Sequence, residues 1–202
     1  MVRPGRRALL TLIGVLLLAG CSRAPTPAPL PATTSVASTR PTASASPSPT
    51  AFTSTCDDSL PVSEVNRAVG APVLGTTAFV VGIPEPNIGR LANLNCRYGI
   101  PDPVPGQPPG AAQVEIGVNL YTSPAVAASR VQATVNSYLS TGATPTPTTV
   151  GTNPATILTG SGDPTLVVAA GARTVAVTVA PPLLTSNEVL VKVASLALTA
   201  VR

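Results

Sequence analysis

The chain has 202 residues, enough for one ordinary domain, with 44% apolar, 10% charged and 2% aromatic residues, 24 Pro and 16 Gly. A typical globular chain is about one quarter charged, so the groups that carry most site chemistry are scarce, and the absence of His removes the commonest general base and metal ligand near neutral pH. The net charge of +4 rests on Arg3, Arg6 and Arg7; elsewhere nine basic residues face eight acidic ones, too even a balance for a nucleic-acid binder.

Met1 to Arg7 is cationic, Ala8 to Gly20 is an apolar run, and Leu18-Ala19-Gly20-Cys21 closes it. These 13 positions, broken by Thr11, would rise only about 20 Å as a helix, short of the roughly 30 Å hydrocarbon core, so the pattern is that of a removable signal peptide rather than a span. The closing tetrapeptide resembles the lipobox of bacterial lipoproteins. That resemblance implies a diacylglyceryl group on the Cys21 sulfur, cleavage just before it, and acylation of the new amino group. Two or three acyl chains suffice for stable anchoring. Arg6-Arg7 reads as part of a plain cationic leader rather than a twin-arginine signal.

Residues 21–55 hold 7 Pro, 15 Ser or Thr and 7 Ala among 35 positions. Such a segment cannot bury enough apolar surface to offset its ordering entropy, so a disordered stalk is expected. Its reach lies between about 35 Å as a flexible coil and about 110 Å as polyproline II. It serves as a passive spacer, with O-glycosylation as the alternative.

Residues 56–202 are expected to form the globular domain and to fold without the stalk. Cys56 and Cys96 are its only cysteines, and an exported chain is expected to join them in a disulfide. The alternative, a redox or metal site, lacks both a Cys-x-x-Cys spacing and any His. Ser63 is placed to cap a helix over 64–69 that Gly70 stops. Residues 76–81 read as a strand, Pro84 to Asn95 as a loop, and 96–100 as a second strand ended by the Pro/Gly cluster from Pro101 to Gly110. Val114, Ile116, Val118 and Leu120 alternate with Gln113, Glu115, Gly117 and Asn119, the pattern of a strand with one buried face. Ser123-Pro124 then opens an amphipathic helix over 124–140.

A Thr-Pro run, 141–149, reads as a separator. Strands are expected at 155–158, 165–170 and 174–179, the last two forming a hairpin around Gly171-Ala172-Arg173. Thr185-x-x-Glu188 has the form of a capping box before a closing helix whose stripe includes Val189, Val193, Leu196 and Ala200. Together these predict an α+β fold, an antiparallel sheet with helices packed on one or both faces and one disulfide.

The lipobox, the Pro/Ser/Thr stalk, Cys56 before a short helix ending in Gly70, Cys96 followed by Tyr98, and the Gly160-Ser161-Gly162-Asp163 turn occur in one order. This layout resembles a group of small actinobacterial cell-envelope lipoproteins whose cysteine-paired domain has no assigned activity. The resemblance implies placement at the extracytoplasmic face of the cell membrane and brings no catalytic residues.

No set of residues specifies a chemistry. Asp57-Asp58 is better placed to complement a helix dipole than to work as an acid pair. Gly160-x-Gly162-Asp163 lacks the Lys and Ser/Thr of a phosphate loop, and Lys192 has no Ser-x-x-Lys partner. Glu64, Glu85, Asp102, Glu115, Asp163 and Glu188 are candidate glycosidase carboxylates without a distinguishing spacing. The expectation is therefore a non-enzymatic binding module tethered to the membrane through Cys21, with no cofactor, metal or nucleic acid and with an envelope protein, glycan or lipid as ligand. A structural or assembly factor of the cell wall and a carboxylate-based hydrolase are the alternatives. Pro84 to Asn95 and Pro101 to Gly110, as long Pro-rich loops, are the expected recognition elements.

Overall fold

The structure, a computed structural model, describes residues 52, 55–108 and 110–201. The signal peptide, Cys21 and nearly all of the stalk lie outside these residues. Two short helices come first. Helix α1 (Cys56–Ser59) starts where the Thr55 hydroxyl accepts the Asp58 N–H at 3.2 Å, with Asp57 and Asp58 in its first turn complementing its dipole. Helix α2 (Val62–Val69) buries Val65 and Val69, pairs Glu64 with Arg67 outside, and ends at Gly70, whose φ of 82° lies in the left-handed region that glycine enters without strain.

Seven strands follow: β1 (Thr76–Gly82), β2 (Arg90–Ile100), β3 (Val114–Tyr121), β4 (Thr144–Val150), β5 (Asn153–Thr159), β6 (Thr165–Ala170) and β7 (Arg173–Val179). Helix α3 (Pro124–Ser140) links β3 to β4, and α4 (Asn187–Ala200) follows β7. The strands form one sheet in the order β1-β2-β3-β7-β6-β5-β4, antiparallel at every junction. It is two meanders joined at β3 and β7, with α3 carrying the chain from the centre to the far edge.

Strand alternation divides the side chains between two faces. On one, Leu94, Cys96, Ile116, Val118, Val177 and Leu166 meet Leu190, Val193, Ala194 and Ala197 of α4 in the main core, which also takes in α1 and α2. The Cys56–Cys96 disulfide lies in this core, with Cα atoms 5.7 Å apart, and the buried Tyr98 hydroxyl donates to the Leu60 carbonyl at 2.5 Å. On the other face α3 sets Val135, with Val131 and Tyr138, against Leu158, Val167 and Ala176. The expected α+β architecture is therefore present, with helices on both faces.

Several boundaries differ from expectation for identifiable reasons. Residues 90–95, expected to belong to a loop, are the first half of β2. Asparagine disfavours strands as an isolated residue, but here the Asn93 amide donates to Asn119 Oδ1 at 2.8 Å and the Asn95 amide to Glu115 Oε1 at 2.9 Å across the strand pair. The Thr-Pro run, expected as a separator, is the outermost strand β4. A strand with one unpaired edge accommodates proline, and the two-residue spacing of Pro145 and Pro147 puts both missing N–H groups along the same edge. Helix α2 begins one residue before Ser63, after Pro61 and without a side-chain cap. Thr185 is likewise not a cap: α4 begins after Ser186, and Glu188 pairs with Lys192 at 3.2 Å instead of closing a capping box. Helix α3, by contrast, has its expected bounds, with Ser123 Oγ accepting the Val126 N–H at 3.2 Å.

Candidate binding face

On the face away from the disulfide, α3 covers only part of the sheet. Beside it, β2, β3 and the start of β7 carry Asn93, Asn95, Arg97, Glu115 and Asn119, all half-buried, and Thr174, which is buried close to α3. Register sets them in lateral rows. Asn93, Asn119 and Thr174 stand side by side, as do Arg97, Glu115 and Thr178, with Asn95, Gly117 and Ala176 between the two rows. In the middle row Gly117 carries no side chain and Ala176 packs beneath α3.

Hydrogen bonds hold this surface in place. Asn119 accepts from Asn93 and donates through Nδ2 to Thr174 Oγ1 at 3.4 Å, so one amide ties three strands together. Glu115 is the one carboxylate on β2, β3 and β7, and it is engaged by the Asn95 amide. Three polar atoms in or beside the same surface are buried without a partner in the protein: Asn95 Oδ1, Arg97 Nε and Arg130 Nε. Arg130 and Thr134 of α3, with Asn119, Tyr121, Thr174 and Ala176 of the sheet, line a cavity of about 70 Å³ at the end of the polar rows.

The other candidate residues are dispersed. Asp57 and Asp58 lie in the first turn of α1. Glu64, Glu85 and Glu188 are each held by a basic neighbour, Arg67, Arg90 and Lys192 respectively. Asp102 lies in the segment after β2 and Asp163 in the turn before β6. Among the described residues no three His, Cys, Asp or Glu side chains converge as metal ligands. Gly160 to Asp163 forms the connection between β5 and β6, as its turn-like sequence suggests. Of the two expected recognition loops, 101–110 is irregular in its described residues, whereas Pro84 to Asn95 is largely a one-turn 3-10 helix (Pro86–Ile88) and the start of β2.

The β3 half of the polar face, Glu115, Gly117 and Asn119, is legible in the alternation of that strand; the β2 half is not, because Asn93 and Asn95 fall in the expected loop and Arg97 in a short strand. The available signal was their period of two against Leu94, Cys96 and Tyr98, which continues the alternation of β3.

The chain matches no protein-family model and no curated protein. Among solved structures, it is similar to the extracellular domain of PknH from Mycobacterium tuberculosis, with 12% identity, a TM-score of 0.40, and coverage of 68% of this chain and 90% of that one. Among the described residues no helix is long and apolar enough to cross a membrane.

Proposed function

We propose that this protein is a lipid-anchored, extracytoplasmic binding module that recognises a hydroxyl-rich envelope ligand, a glycan, on the polar face of β2, β3 and β7. The observation that carries this reading is the set of unpartnered polar atoms there. Buried polar groups are nearly always hydrogen-bonded, and leaving one unpaired costs about 1–3 kcal/mol. Asn95 Oδ1 offers an acceptor, while Arg97 Nε and Arg130 Nε offer donors. A hydroxyl group can serve as both, so a polyol answers all three with one kind of group. The bonded Asn93-Asn119-Thr174 row holds its neighbours in position, which reduces the ordering cost on binding.

The rest of the chain is consistent with this placement. A buried disulfide is the product of an oxidising compartment, while the leader before Cys21 supplies export and Cys21 itself the attachment. The role is read as binding without catalysis because Glu115 is the one carboxylate of the strands bearing the face, so no second carboxylate on them stands with it as an acid/base pair.

The test is native mass spectrometry and glycan-array binding of the full exported chain beside an Arg97→Ala/Asn119→Ala variant. The reading expects a retained or captured glycan that the variant loses by tenfold or more. Equal capture by both chains, or turnover of the glycan by the wild type, would overturn it.

A further inference from the structure

The two end strands of the sheet are built differently. β4 carries Pro145 and Pro147, and backbone positions without an N–H obstruct the addition of another strand. β1, with the sequence Thr-Thr-Ala-Phe-Val-Val-Gly, has neither proline nor charge. Its one register irregularity lies between Thr76 and Ala78, leaving Ala78 to Gly82 regular. Phe79, Val80 and Val81 are 43%, 58% and 51% exposed, and Leu74 and Ile83 beside the strand are 72% and 78% exposed. Five of the eight exposed large apolar side chains among the described residues thus gather at one unprotected edge. They occupy both faces of it, for Phe79 and Val81 stand opposite Cys96 and Leu94, while Val80 stands opposite Asn95.

We propose that β1 pairs antiparallel with β1 of a second copy of this chain, joining two seven-stranded sheets edge to edge across a two-fold axis. The choice of a second copy comes from where the preceding chain enters. Cys56 is bridged to Cys96 at a Cα separation of 5.7 Å, and Cys96 is the register partner of Phe79. The 55 residues before Cys56 therefore join the domain beside the middle of β1. A two-fold between antiparallel strands stands perpendicular to the sheet and keeps like faces together. Both copies of Cys56 then lie on one side of the joined sheet, about three strand spacings or about 15 Å apart.

That geometry suits two chains attached to one membrane, and to this extent it rests on the anchored reading above. One strand pair buries less than the about 1,200 Å² at which stable complexes begin. The dimer is therefore one that confinement to a surface favours through raised effective concentration.

The test places a photo-crosslinking amino acid at Val80 of the full chain in its native envelope. Irradiation is expected to give a covalent product of twice the protomer mass. Phe79→Lys or Val81→Lys should each reduce that product at least tenfold, and a crosslinker at Thr148 on β4 should give none. Two Lys variants are used because Phe79 is the less exposed site; circular dichroism of each confirms the fold. Monomer alone, a product with a different protein, an internal link to residues 21–50, or a dimer insensitive to both Lys variants would overturn the proposal. Intact mass of the same sample reports acylation of Cys21 separately. A dimer without lipid defeats the anchor and leaves the pairing standing, whereas lipid without a dimer does the reverse.

Discussion

The same strands supply both faces of the sheet, and the two faces are held by different physics. On the disulfide side, Leu94, Cys96, Ile116, Val118 and Val177 share one core with apolar side chains of α1, α2 and α4, and they are shut off from solvent. On the other side, the neighbours of these same residues are Asn93, Asn95, Glu115 and Asn119, joined by amide and carboxylate bonds that remain partly open, with Arg97 beside them. Burial on the first face stabilises the domain. The second adds little net stability, since exposed or half-exposed polar pairs exchange one set of hydrogen bonds for another, but it keeps donors and acceptors in fixed positions. One sheet can thus be a rigid support on one side and a recognition surface on the other.

The sharpest way to break the contrast is at the disulfide. Replacing Cys56 and Cys96 together by Ser opens a bridge spanning 40 residues, and the full exported chain should lose about 4 kcal/mol by denaturant unfolding. Next comes Leu190→Ala in α4, a fully buried side chain, which should cost about 3 kcal/mol in the same assay.

Tyr98→Phe strands the Leu60 carbonyl and should cost about 1–3 kcal/mol. This site also gives the helix side an alkaline signature. Burial, with the Asp57 charge second, pushes the Tyr98 phenol well above its ordinary value. The unfolded chain ionises this group near pH 10, so the stabilisation is intact below that and is lost as the pH rises through 10 toward the folded value. Unfolding midpoints measured from pH 8 to 11 should fall more steeply for the wild type than for Tyr98→Phe.

On the polar side the effects invert. Asn119→Ala and Arg97→Ala should each shift stability by about 1 kcal/mol or less while abolishing glycan capture. A loss of 3 kcal/mol from either would make the polar face a structural element and erase the distinction.

Much of this molecule is legible along the chain. The alternation of Val114 to Leu120, the Ser123-Pro124 helix start and the Val/Thr-rich pair of strands around Gly171 are local signals, and each element lies where its residues indicate. The Cys56–Cys96 bridge was legible for a different reason: with no other cysteine in the domain there was one way to pair. These features depend on periodicity, capping and counting, which act within a few residues or need no geometry.

Only the tertiary structure decided that Asn93 and Asn95 lie in a strand, that Pro145 and Pro147 form an edge, and that β3 pairs with β7 at the centre. The open β1 edge follows from those pairings and not from any local pattern, and the pairings also bring the alternating polar residues of β2 and β3 onto one face. The physical reason is that an amide or a proline has its preference set by what stands across from it. Asn95 finds Glu115 only once β2 and β3 align, and the missing proline N–H is harmless only at a position with no further strand to receive it.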